Sequence, residues 1–274
     1  MKNRIIAFAS ILVATAFLFS CSSDDDNANE TNLVTTSAKY KDVRSANREI
    51  NAAVQGTMND PSNASRSLKN SSNDCVTLTS ELTETGGTAT ITFGENCTSP
   101  DGKAISGTIL LSYKMKEASG ELAFDITYTL ENFSFNGITV SGSSIATYNI
   151  LDKKFVTDSD YKFIWDDGLS VVSKNTTSVE IVINEESAES YTLINMDTKA
   201  EFSSGELYTS KTTTPMRVEN DCKYVVSGIL VTSENASTIT LNYGDGTCDN
   251  VATQTDSEGN VTTIDLDVEE NFTL

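Results

Sequence analysis

The sequence predicts an all-β protein: a large antiparallel meander (curled sheet, barrel-like or sandwich) with one short N-terminal helix. Period-two alternation is the first reason. Leu122, Phe124, Ile126, Tyr128 and Leu130 alternate with Ala123, Asp125, Thr127, Thr129 and Glu131. Val179, Ile181 and Ile183 alternate with Ser178, Glu180, Val182 and Asn184, and Ile264, Leu266 and Val268 with Asp265 and Asp267. Each stretch reads as an antiparallel strand with one face in a core and one in water. Recurring turn signals are the second reason: Gly86-Gly87, Asp101-Gly102, Ser119-Gly120, Asn136-Gly137, Asp167-Gly168, Ser204-Gly205 and Glu258-Gly259. Third, no helical pattern separates the strands, which removes the crossover units of a parallel α/β fold. About twelve strands are expected, and an open flat sheet of that size exposes much apolar surface. Curling, closure or division into two sheets is therefore expected.

Ahead of the strands, Ser37 to Met58 is the one helical stretch. Val43, Ile50, Val54 and Met58 fall at spacings of 7, 4 and 4, a narrow apolar stripe, with Lys41, Arg44 and Arg48 elsewhere on the surface. So thin a face suits packing against the following domain better than lying on a membrane. Pro61 stops the helix, and Ser62 to Asn73 forms a Ser/Asn-rich linker. Ser22 to Asn32 is polar, without apolar periodicity, and reads as a flexible tether. The expected division is 1–20 signal peptide, 21–36 tether, 37–73 helix and linker, 74–274 β domain.

The leader has a basic start, Lys2 and Arg4, and an apolar run from Ile5 to Phe19. That run is shorter than the ~20 residues of a spanning helix and suits a secretory signal. It ends in Leu18-Phe19-Ser20-Cys21, which resembles the lipobox of bacterial lipoproteins. The resemblance implies diacylation of the Cys21 thiol, cleavage before Cys21 and acylation of the new amino group. Several acyl chains anchor firmly where one holds marginally, at about 0.8 kcal/mol per buried methylene. Ser22-Ser23-Asp24-Asp25-Asp26 resembles the acidic export signal of surface-exposed Bacteroidetes lipoproteins. Together these imply an outer-membrane lipoprotein, with surface display favoured over a periplasm-facing anchor and the membrane as partner through the anchor.

Apart from Cys21, four cysteines remain, and an even number in an exported chain predicts disulfides. Four cysteines allow three pairings. Asp74-Cys75 is followed by Thr90-Ile91-Thr92-Phe93-Gly94-Glu95-Asn96-Cys97, and Asp221-Cys222 by Thr238-Ile239-Thr240 and then Tyr243-Gly244-Asp245-Gly246-Thr247-Cys248. The near-repeat favours two hairpins that each close on themselves, Cys75–Cys97 and Cys222–Cys248. Cross-pairing stays open, for a sheet that curls fully round would set the two copies side by side. Redox pairs and structural zinc sites use shorter cysteine spacings. The arrangement resembles that of a group of flavobacterial-type Bacteroidetes lipoproteins, over most of Cys75 to Leu266, and brings no activity with it.

Function is bounded mainly by exclusion. The formal charge is −20 over 274 residues, which argues against nucleic acid and against electrostatic adhesion to anionic membranes. With no histidine, the Ser-His-Asp triad, Cys-His dyads, histidine metal sites and histidine pH switches are all removed. Phosphate-binding glycine loops and a nucleophile elbow are missing, so no cofactor and no catalytic residue are expected. Two candidate sites are weighed against plainer roles. Tyr161, Phe163 and Trp165 share one strand face beside Asp166 and Asp167, as a sugar-stacking shelf would, though filling the sheet core is the favoured role. Asp245, Asp249 and Asn250 crowd a glycine turn, as calcium ligands do, but lack the alternating spacing of a calcium loop and suit tight turns without metal. The expectation is a non-catalytic binding or structural module with a glycan or protein partner. The alternatives are a carbohydrate-active hydrolase using paired carboxylates and a carrier of an apolar ligand. Replacing Cys21 by Ala is expected to abolish membrane retention; equal labelling of wild type and Cys21→Ala by a fatty-acid analogue would refute it.

Overall fold

The structure is a computed structural model that describes residues 27–59, 75–83, 85–99, 102–118, 121–183 and 190–267. The lipidation and export residues Cys21 to Asp26, the linker around Pro61, Ser119-Gly120, Asn184 and Val268 lie outside these residues. One helix, α1 (Asn27–Asn59), precedes thirteen strands. They are β1 (Val76–Leu82), β2 (Gly86–Thr98), β3 (Ala104–Ala118), β4 (Glu121–Phe135), β5 (Ile138–Asn149), β6 (Lys154–Ile164) and β7 (Ser170–Ile183). After these come β8 (Ser190–Phe202), β9 (Leu207–Glu219), β10 (Val225–Glu234), β11 (Ser237–Asp245), β12 (Val251–Thr255) and β13 (Val261–Asp265). All thirteen form one sheet in sequence order, each antiparallel to the next. The all-β meander is as the alternation predicts.

Closure is not. Strands β1 and β13 each have one neighbour, and the sheet stays open rather than forming a barrel or sandwich. An open sheet of this width would expose much apolar surface if nothing else lay on it. Here α1 covers it. Thr36, Tyr40, Val43, Ala46, Ile50, Ala53 and Val54 are buried at helical spacing, Ala46 and Ile50 completely. All but Thr36 join one cluster with Ile91 and Phe93 of β2, Ile109 of β3, Phe133 and Phe135 of β4, Val140 of β5 and Phe163 of β6. Val171 of β7, Phe202 of β8 and Tyr208 of β9 complete its far side. A second, smaller cluster of Met216, Leu230, Leu241, Tyr243 and Ala252 lies under β9 to β12 and contains no helix residue. The helix is also longer than expected, reaching back to Asn27 through part of the proposed tether. Helix propagation is cheap once docked turns supply the nucleus, so a polar segment without its own periodicity is carried along.

Polar pairs set the position of the helix along the sheet. Tyr128 donates to Asn51 at 2.9 Å, and the Lys103 ammonium to the Ser45 hydroxyl at 2.9 Å. Tyr40 stacks on Tyr208 with ring centroids 4.6 Å apart, and Thr36 hydrogen-bonds the Tyr208 hydroxyl at 3.1 Å. Lys39 pairs with Asp167 in the β6–β7 turn and lies over the Trp165 ring.

Two turns show why particular residues are needed. Asn136 and Gly137 both have positive φ (52° and 81°), the signature of a two-residue hairpin loop between β4 and β5. Gly142 of β5 has φ +129°, sits opposite Tyr161, and an added Cβ would strike the Asp160 carbonyl oxygen. The glycine lets the Tyr161 strand approach.

Both disulfides form as the repeat predicts: Cys75–Cys97 beside the β1–β2 hairpin and Cys222–Cys248 beside β10–β11. Seven strands separate the hairpins, which removes the cross-paired alternative. Sequence separations of 22 and 26 residues correspond to about 3–3.5 kcal/mol each on the chain-entropy account. Truncating the centre of the helix stripe, Ile50→Ala, is expected to cost about 2–5 kcal/mol, read as a lower urea midpoint. A cost below about 1 kcal/mol would show that the helix is not the covering layer.

Candidate functional site

Between α1 and the inner face of the sheet lies a cavity of about 630 Å³. It sits where the helix-covered core gives way to the second cluster: Tyr40 and Tyr161 belong to the first, Leu230, Leu241 and Tyr243 to the second. Its floor follows from strand register. Ser144, Ser159, Asn175, Thr198, Ser210 and Thr232 are direct cross-strand neighbours, one from each of β5 to β10. All but Ser144 line the cavity. Side-chain hydrogen bonds stitch parts of this row: Ser144 to Ser159 at 3.0 Å, Thr198 to Asn175 at 2.7 Å and Ser210 to Thr232 at 3.2 Å. A hydroxyl and amide band thus crosses the face, and Ser173, Thr177 and Gln254 add further polar groups to the lining. Ile194, Met196, Leu230, Ile239 and Leu241 form an apolar wall beside it.

The helix side carries Arg44, Asn47, Arg48 and Asn51. Arg44 and Arg48 are four apart and share a helix face at the cavity's exposed edge. Arg48 also contacts the Ser45 hydroxyl at 3.3 Å and the Glu49 carboxylate at 3.8 Å. No described lining residue is Asp or Glu, despite the net charge of −20. The Tyr161 hydroxyl, on a residue 2% exposed, is buried among the hydroxyls of Tyr128, Ser144 and Ser159 rather than open to the cavity.

Burial raises the phenol pKa values around this space. Tyr161 is pushed far above the ordinary range by desolvation, aided by the neighbouring Tyr128. Tyr40 rises through burial, partly opposed by Ser210 and by the Arg44 charge. Tyr243 is pushed up to about 12 by burial, against the same arginine. The charge of Arg44 is therefore felt both on the helix and on β11.

The aromatic triplet splits. Tyr161 and Phe163 are buried in the core, as the favoured role requires, and Trp165 is half-buried, stacked on Phe202 at 6.1 Å under Lys39. None forms an open sugar shelf, but Tyr161 does line the cavity. At the calcium candidate, the Asp245 carboxylate caps its own turn by accepting from the Thr247 amide and hydroxyl, which holds its pKa low. Asp249 accepts from the Val251 amide, and Asn250 donates to Asp265 and Asp267. The described groups work as turn caps.

A second aromatic array escaped the sequence reading. Tyr113, Phe124, Tyr148 and Phe155 stack side by side across β3 to β6, centroids 5.4, 6.5 and 4.4 Å apart and planes within 25°. Their faces are turned to one another, which leaves edges rather than platforms for a sugar. The cavity residues Arg44 and Arg48 were visible in the sequence only as surface charges. Their signal is the polar margin Arg44, Asn47, Arg48, Asn51 flanking the apolar stripe.

Compared with family models, curated proteins and solved structures, the chain matches none. The site's chemistry must be read from its own residues.

The raised tyrosines carry a pH dependence with a definite sign. A group whose folded pKa lies above its unfolded value stabilises fully below the unfolded value, about 10 for tyrosine, and loses that contribution as pH rises toward the folded value. Alkaline titration is therefore expected to show Tyr40, Tyr161 and Tyr243 ionising only together with loss of the fold, at pH well above 10. Tyrosinate absorbance from these residues near pH 10 with near-UV circular dichroism intact would contradict it.

Proposed function

We propose that the protein is a non-catalytic binding module, tethered to the outer membrane through lipid on Cys21 and displayed on the cell surface, which holds a small ligand between α1 and the sheet. The cavity carries this reading: 630 Å³ falls within the range of small-molecule sites, with an apolar wall and a few convergent polar groups. The lipobox-like Leu18-Phe19-Ser20-Cys21 and the acidic run after it support the location. The hydrolase alternative finds no support in this cavity, whose described lining includes no carboxylate pair. A carrier of a purely apolar ligand fits less well, since a hydroxyl row forms the floor.

Ala52 lies on the exposed helix surface at the cavity wall, so a larger side chain there fills space without entering the core. Full-length protein is expected to enhance Nile red fluorescence saturably, and Ala52→Trp to lose most of that enhancement with Tm within about 2 °C of wild type. Equal enhancement by both would place probe binding outside the cavity and overturn the reading.

A further inference from the structure

The two edges of the sheet are unlike. Among the described residues β1 and β13 each have one neighbouring strand, so each turns a row of backbone N–H and C=O groups away from the sheet. At the β13 edge that row is short. Strands β12 and β13 have five residues each, and Leu266 donates to the Asn250 carbonyl at 2.7 Å, which leaves Val261, Thr263 and Asp265 as the outward positions. Short strands and an acid at the end of the row are ordinary guards against edge pairing.

Strand β1 lacks those guards. Val76–Leu82 contains no Lys and no Pro, and it pairs with β2 from Val76↔Phe93 to Leu82↔Gly87 without a bulge. Gly94 donates to the Cys75 carbonyl and Thr83 to the Gly86 carbonyl, both at 2.8 Å. Alternation between these two pairs turns the backbone groups of Thr77, Thr79 and Glu81 toward β2, and those of Val76, Leu78, Ser80 and Leu82 outward. Val76 and Leu78 pack against the main core, so this row is held in place before any partner arrives. The side chains of Thr77, Thr79, Ser80 and Glu81 are exposed.

The row is complementary to itself. In an antiparallel two-fold pairing with Thr79 on the axis, Val76 stands opposite Leu82 of the second copy and Leu78 opposite Ser80, and every outward N–H and C=O of β1 meets a partner. Moving the axis to Leu78 or Ser80 strands the groups at one end of the row. With Thr79 on the axis, Glu81 faces Thr77 of the second copy, so the two glutamates do not oppose each other.

We propose that β1 is a self-association edge, through which two copies of this chain join antiparallel about a two-fold axis at Thr79 and make their sheets continuous. The inference does not use the cavity. Two chains of −20 repel, whereas backbone hydrogen bonds carry no net charge, so the dimer is weak at low salt and strengthens as salt screens the repulsion.

The test is sedimentation equilibrium of the protein purified from its host, over a concentration series at low and high salt. A monomer–dimer equilibrium is expected, tighter at high salt. Ser80 donates no bond to β2, so Ser80→Pro removes an outward donor while leaving the β1–β2 ladder whole, and is expected to weaken the dimer about tenfold or more with near-UV circular dichroism unchanged. Thr79→Lys sets two ammonium groups against each other on the axis and is expected to do the same, which decides the question if the proline variant does not fold. The register is read by oxidation in a Cys21→Ala background, which removes the one cysteine outside the two disulfides. Thr79→Cys is expected to give a cross-linked dimer, since facing residues of a non-hydrogen-bonded pair lie about 4.5 Å apart at Cα, within disulfide reach. Thr77→Cys is expected not to, because its two copies are offset by four residues, about 13 Å. A monomer at every concentration would overturn the proposal, as would a dimer that tolerates both Ser80→Pro and Thr79→Lys or that weakens with salt. Assemblies that grow beyond the dimer would overturn the two-fold pairing in favour of β1 joining β13. Equal cross-linking of Thr77→Cys and Thr79→Cys would overturn the register.

Discussion

The burial of one helical stripe against one face of an open sheet is the contact on which the structure depends. Ile50 and Ala46 are wholly buried there, and the helix residues share a core with strands β2 through β9. An antiparallel sheet buries one face only if something covers it, and here the cover arrives from outside the sheet. That is why thirteen strands need not close on themselves. The disulfides fasten hairpins near the two ends of the sheet: Cys75–Cys97 at the edge of the helix-covered core and Cys222–Cys248 beyond it.

One helix cannot cover the whole face. It is about 10 Å across, while thirteen strands spaced about 4.8 Å apart make a far wider surface. The mismatch has four visible results. A second core forms under β9 to β12 from the sheet's own side chains. The aromatic stack of Tyr113, Phe124, Tyr148 and Phe155 protects its rings by mutual contact, with Phe155 still 37% exposed. Ile181 and Ile183 of β7 remain open at 43% and 46%. The cavity is the fourth, at the seam between the two cores.

Charge follows the same division. Acidic residues populate the outer face and turns, where Asp245, Asp249 and Asp256 each accept from turn amides. The cavity edge is arginine, and its floor is uncharged. The acidic chain thus has one interior surface free of described carboxylate.

Alternation, turn residues and the cysteine repeat determined the meander, its hairpins and both disulfides, because each depends on local backbone geometry and short-range pairing. Val43, Ile50 and Val54 likewise announced a helix with one buried face. Which way an alternating strand faces is local information; what covers it is not. Ser, Thr and Asn occupy inner as well as outer positions of β5 to β10, so the hydroxyl row cannot be told in sequence from the solvent face. Register across six strands aligned Ser144, Ser159, Asn175, Thr198, Ser210 and Thr232, and docking of α1 turned Arg44 and Arg48 from surface charges into a cavity edge. The helix end of that cavity and its floor are more than a hundred residues apart in the chain, and only tertiary packing joins them.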